Sequence, residues 1–331
     1  MKKLSIYLLL FFIVPTFVFT GCKDEETVEL AIQVLTKYLT ENGKDLPEII
    51  YYHPPTGDGI IFVTAPPATD ADVPAFVENK YIIDIRSAAD FAAGHITGAH
   101  NVAFTDILNE ASNAGSKRIL VVCYTGQTAC YATSLLRLYG YPDAQALKWG
   151  MSGWNAQFDK WTSNCSDIAQ NHNNWSTAAA PQNVKYDAPV LSESSTDGET
   201  ILKQRVEAVV AAGFKTVPGS DVLESPANYF INNYFSDADY TAFGHIDGAY
   251  RINPLSIADD LIYYLDPSKK VVTYCYTGQT SAVITAYLNV LGYDAYSLLF
   301  GMNGLYNSNS AWASNQWGHD SNPKNLSTVT K

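Results

Sequence analysis

Charge is scarce in this chain of 331 residues. Only 16% of positions are Asp, Glu, Lys or Arg, and no run of five or more basic residues occurs. The balance is acidic, −12, and reaches −14 when residues 1–21, which hold two lysines and no acid, are set aside. Both facts argue against nucleic acid, and against an anionic membrane surface bound through electrostatics. Cysteine is scarce as well. The five, Cys22, Cys123, Cys130, Cys165 and Cys275, are odd in number and widely spaced, which is not the pattern of a disulfide framework. There is no Cys-x-x-Cys pair, and no His/Cys cluster has zinc-ligand spacing; His53, His100, His172 and His319 also lack it, so no metal is expected. What is plentiful is apolar residue, 47% of the chain, enough at this length for two domains with real cores.

One apolar run stands apart. Lys2 and Lys3 precede Leu4 to Phe19, interrupted by Pro15 and followed by Thr20-Gly21-Cys22. At roughly 16 residues it is shorter than the roughly 20 needed to span a bilayer. The ending resembles a bacterial lipoprotein signal, with Phe19 where leucine is usual. That resemblance implies cleavage before Cys22, acylation of Cys22 and a lipid-anchored place in the cell envelope, facing the periplasm or on the outer-membrane surface. The membrane is then a partner only through the anchor. Lys23-Asp24-Glu25-Glu26 reads either as a surface-export signal or as a solvated tether.

The rest is organised around a loop that occurs twice: Cys123-Tyr124-Thr125-Gly126-Gln127-Thr128, and Cys275-Tyr276-Thr277-Gly278-Gln279-Thr280. Each follows an apolar run (Ile119 to Val122; Val271-Val272) and precedes a helical pattern closed by Gly-Tyr, at Gly140-Tyr141 and Gly292-Tyr293. The layout is strand, tight loop, helix, with a cysteine at the strand's C-terminal edge, where ligands bind in open α/β sheets. The loop amides and the helix N-terminus favour negative charge there, so each thiol is expected to be acidified. Gly94-His95-Ile96-Thr97-Gly98-Ala99 also recurs, as Gly244-His245-Ile246-Asp247-Gly248-Ala249. Leu147 to Gly153 recurs as Leu298 to Gly304. Equal order at a large, nearly constant offset marks a duplicated domain. The expected segments are a signal over 1–21, a tether and lead-in helix over 22–59, domain one over 60–161, a polar linker over 162–200 and domain two over 201–331.

The order strand with Asp84-x-Arg86, Gly-His-Ile-x-Gly-Ala, strand with Cys-x-x-Gly, helix and Gly-rich closing segment resembles the rhodanese family. The resemblance implies an α/β fold of two rhodanese-like domains, each a parallel sheet flanked by helices. It implies sulfurtransferase activity with no cofactor beyond a covalent cysteine persulfide, taking sulfur from thiosulfate or a persulfide to a thiol or cyanide-like acceptor. Carried over by position, Cys123 and Cys275 are the sulfur-accepting nucleophiles. Tyr124, Thr125, Gly126, Gln127 and Thr128, with Tyr276, Thr277, Gly278, Gln279 and Thr280, are the cradling loops. Asp84 and Arg86 border the first site. His95 and His245 belong to a motif that is mainly structural in the family.

Departures from the family pattern bear on substrate. Neither loop carries a charge, and the last position holds Thr128 or Thr280 where many thiosulfate-using members have arginine. A persulfide or neutral thiol partner is then as reasonable as a dianion. Phosphatase-type relatives need an arginine six positions after cysteine, where Ala129 and Ser281 stand. Copy two lacks Asp-x-Arg, reading Asn232-Asn233-Tyr234-Phe235, with Arg251 as a substitute cation. Trp149 and Phe300 occupy positions where the family usually has glycine, and either wall a pocket or pack the core. Two other readings stand beside sulfur transfer: a non-catalytic binding or scaffold module, and a redox thiol protein with Cys130 or Cys165 as partner.

Overall fold

A computed structural model of the chain describes residues 30–330. The signal over 1–21 and the acylation of Cys22 lie outside the described residues, as does the acidic run after it. No helix among the described residues is long and apolar enough to cross a membrane.

Two parallel sheets form, with the runs ending at Cys123 and Cys275 as central strands. The first holds β1 (Val63–Thr64), β2 (Lys80–Asp84), β3 (His100–Asn101), β4 (Arg118–Val122) and β5 (Gln145–Leu147) in the order β1-β5-β4-β2-β3. The second holds β6 (Thr216–Val217), β7 (Tyr229–Asn233), β8 (Lys270–Tyr274) and β9 (Ala295–Leu298) in the order β7-β8-β9-β6. A single bridge between Asn232 and Tyr250 stands where the first copy has β3. Central β4 is apolar from Ile119 to Val122 because both its faces are covered there, as in helix-flanked parallel sheets. Ile119 and Val121 pack into one cluster, Leu120 and Val122 into another.

The principal helices are α1 (Ala31–Glu41), α2 (Gln127–Tyr139), α3 (Gly150–Trp154), α4 (Gly198–Ala212), α5 (Gln279–Val290) and α6 (Gly301–Leu305). Helices α2 and α5, each starting at the end of a thiol loop, are buried almost along their whole length. One hydrophobic cluster runs through α1, α2, α4 and α5, so the two sheets share a core. Asp45 fastens the same seam. Its buried carboxylate accepts from the Ile257 and Ala258 amides (2.9 and 3.0 Å) and from the Tyr287 hydroxyl (3.2 Å).

Residues 162–200 do not merely link. Ala169 lies in the core of the second unit, and Trp175–Ser176 pairs antiparallel with His245–Ile246. The last residues return to the first unit: the Leu326 amide donates to the Trp154 carbonyl, His95 and Val329 exchange amide hydrogen bonds, and Leu326 is buried among Ile96, Met151 and Trp154.

Candidate active site

Cys123 and Cys275 are the first residues beyond β4 and β8, and both side chains turn toward their own loops. The Gly126 and Ala129 amides donate to Cys123 Sγ at 3.1 and 3.3 Å, and the Ser281 amide to Cys275 Sγ at 3.4 Å. Gly126 and Gly278 make this possible by closing each loop in the left-handed region, at φ 86° and 71°, where a side chain would be strained. The Gly-rich segments then clamp the loops. The Met151 amide donates to the Cys123 carbonyl (2.8 Å), and the Met302 amide to the Cys275 carbonyl (2.9 Å). A Cβ on Gly150 or Gly301 would strike those same carbonyls.

Both thiols are nearly covered, Cys123 at 3% exposure and Cys275 at 2%. For Cys123 this corrects the expectation of an acidified thiol. Burial pushes its pKa up, and the amides of Ala129, Thr125 and Gly126 offset that only in part; the Asp84 carboxylate raises it further. Removing the sulfur from water disfavours the anion more than a few main-chain dipoles favour it.

The cover comes from both units. Gln279 Nε2 donates to the Thr125 carbonyl (3.2 Å), and the Phe300 amide donates to Gln127 Oε1 (2.8 Å). Trp161 Nε1 also donates to the Thr125 carbonyl (3.2 Å). Trp149, Trp161, Trp317 and Phe300 form one aromatic cluster beside the loops. Trp149 and Phe300 hold left-handed backbone (φ 67° and 62°), which is uncommon for bulky side chains and clusters at functional sites.

The other residues singled out by sequence fall into three places. Arg86 lies against the Tyr124 ring of the first loop rather than at the sulfur's own hydrogen bonds. Its guanidinium is buried in a pair with Asp84 (2.7 Å) and donates to the Gly94 carbonyl, bracing the Gly-His-Ile segment. In copy two Asn233 takes Asp84's position, its Oδ1 accepting from the Phe235 amide as Asp84 Oδ1 accepts from that of Arg86. Phe235 stacks on Tyr276 at 4.3 Å, where Arg86 approaches the Tyr124 ring at 5.9 Å. Arg251 pairs with Asp237 and donates to the Phe235 carbonyl, so it acts on the helix beside the loop. His95 and His245 stack on Phe91 and Tyr240 and contact the carbonyls of the same residues through Nδ1, a packing role. Thr125 Oγ1 accepts from Gln127 Nε2, and Thr277 Oγ1 from the Gln279 amide; Thr128 and Thr280 are half-buried on the first turns of α2 and α5. The described cysteines are all free, with Cys130 fully buried and Cys165 half-buried.

Sequence reasoning missed two features. Tyr124 and Tyr276 donate their hydroxyls to Asp90 and Asp239, which sit in twin Ser-x-x-Asp caps, Ser87 to Asp90 and Ser236 to Asp239. The repetition of that cap was a readable signal. The second feature is Lys148. From the first unit it enters a cavity of about 270 Å³ lined by Tyr276, Thr277, Gln279 and Thr280 of the second loop, its ammonium held by Asn315 Oδ1 at 2.6 Å. Its counterpart beside Phe300 is the apolar Leu299.

A family model described as rhodanese-like domain matches residues 70–157 and 233–308. A thiosulfate sulfurtransferase GlpE from Pseudomonas putida is 34% identical over 82 residues, 24% of this chain and 74% of that protein. The GlpE of Shewanella oneidensis is 35% identical over 75 residues, 22% of this chain and 74% of that protein. Among solved structures, a thiosulfate sulfurtransferase from Pseudomonas aeruginosa is 15% identical with a TM-score of 0.29, covering 77% of this chain and 46% of that one.

Proposed function

The chain belongs to the rhodanese-like domain family, and from that premise we propose that it is a sulfurtransferase working through cysteine persulfides on Cys123 and Cys275. The thiolate attacks the outer sulfur of a donor. A new S–S bond forms to cysteine, the donor's own bond to that sulfur breaks, and sulfite leaves from thiosulfate or a thiolate from a persulfide. A thiophilic acceptor then takes the outer sulfur and frees the cysteine thiolate. The observation that supports this best is the main-chain amides on the sulfurs, two on Cys123 and one on Cys275, because the same donors suit the terminal anion of a persulfide. Lys148 adds a charge-assisted contact that favours an anionic donor at the second loop. The lipid-anchored location belongs to the same reading and rests on residues 1–22 alone. The test is intact mass after incubation with thiosulfate or a small persulfide, on Cys123→Ser and Cys275→Ser separately. One added sulfur atom, lost when the remaining thiol is also replaced, is expected; no adduct with any donor overturns the proposal.

The burial of both thiols favours a second reading, a binding module on the same fold. That reading expects no sulfur adduct at any pH, yet an unchanged fold.

A further inference from the structure

The two copies differ behind their sulfurs. On the face of the first sheet that carries Cys123 stand Val121 and Ala146, with Ala129 on the first turn of α2. The matching positions of the second copy are Thr273, Ser297 and Ser281, each with no exposed surface. Ser281 Oγ lies 3.8 Å from Cys275 Sγ and 2.8 Å from Ser297 Oγ. Thr273, in register with Ser297 and two residues before Cys275, has a buried hydroxyl with no partner. Burying hydroxyls costs free energy that alanine and valine avoid, and copy one shows that the fold does without them. Their placement in a row ending at the sulfur calls for a chemical reason.

We propose that Ser281, backed by Ser297, is a positioning residue that donates its hydroxyl to the Cys275 thiolate, making copy two the copy that opens the reaction. In the resting thiol, S–H donates to Ser281 Oγ. When that proton leaves to solvent, the Ser281 O–H turns onto the sulfur and the Ser297 O–H turns onto Ser281 Oγ. Hydrogen bonds to an anion are the strong ones, and Cys123 has no counterpart to this. The titratable groups around Cys275 are Tyr234 after β7, Tyr276 in its loop and Cys130 on α2, with the Lys148 ammonium in the cavity beside that loop. Burial pushes Tyr234 up to about 12 and Tyr276 and Cys130 upward, which leaves these three neutral at physiological pH. Cys123 instead faces the Asp84 carboxylate, replaced in copy two by neutral Asn233.

The consequence for sulfur transfer rests on the proposed function; the thiol chemistry does not. It is tested by ultraviolet thiolate titration of the full chain, with each thiol read as the difference from its own serine variant. Ser281→Ala is expected to raise the Cys275 midpoint by about one pH unit, a roughly tenfold loss of thiolate at neutral pH, and to leave Cys123 in place. Ser281→Thr keeps the wild-type midpoint, and Ser297→Ala gives a smaller upward shift, which serves if Ser281→Ala fails to fold. A Cys275 midpoint unmoved by Ser281→Ala overturns the assignment. A shifted midpoint with no sulfur adduct on either cysteine leaves the hydroxyl relay standing and sinks sulfur transfer.

Discussion

Gln279, the first residue of α5, donates its side-chain amide across the seam to the Thr125 carbonyl in the other unit's thiol loop. Gln127 reaches the opposite way and accepts from the Phe300 amide. Each loop is therefore braced by the copy it does not belong to.

Replacing both glutamines by alanine should loosen that brace. Loss of two half-buried hydrogen bonds is expected to destabilise the chain by about 1–3 kcal/mol, and to speed alkylation of Cys123 several-fold at fixed pH. Denaturant unfolding and peptide mass spectrometry read the two effects. Unchanged alkylation would show that the glutamines do not govern access.

Lys148 should matter to the second site alone. With Cys123 replaced by serine, Lys148→Gln is expected to weaken thiosulfate use at Cys275 by roughly tenfold, the worth of one hydrogen bond to a charged group. Lys148→Arg should retain most of it, and added salt should reduce the difference. Adduct formation against thiosulfate concentration measures this; equal effects with an uncharged dialkyl trisulfide donor would remove charge as the cause.

His245 sets an acid limit on stability. Burial holds its pKa below the usual 6.5, so between the folded value and 6.5 the unfolded chain binds more protons. Its contribution is complete above 6.5 and is lost as pH falls through the folded value. Urea midpoints should decline below about pH 6.5, with a shallower decline in His245→Gln; parallel curves would refute it.

The C-terminal return is structural. Leu326→Ala is expected to cost about 2–5 kcal/mol, as for other buried leucines. Ending the chain at residue 322 should unfold the first unit more than the second. Hydrogen exchange resolved by peptide distinguishes this from uniform loss, which would mean the tail acts on both units alike.

Much was decided by short-range pattern. Apolar runs ending in Cys123 and Cys275, glycine three residues later and a helical period beyond place each thiol at a strand end with amides around it, because turn chemistry and periodicity are local properties. The colinear repeat likewise announces two related units. What the sequence could not set was the state of the sulfurs. Their burial, Cys123's raised pKa, the crossing of Gln127 and Gln279, the arrival of Lys148 beside a loop more than a hundred residues away and the return of Leu326 all depend on how the units pack. No local period encodes that packing. Arg86 shows the limit in one residue: the motif placed it near the thiol, but its Nε and Nη2 are turned onto Asp84 and the Gly94 carbonyl. Local sequence determined where the two nucleophiles stand, and the tertiary fold decided what water, charge and hydroxyl each of them meets.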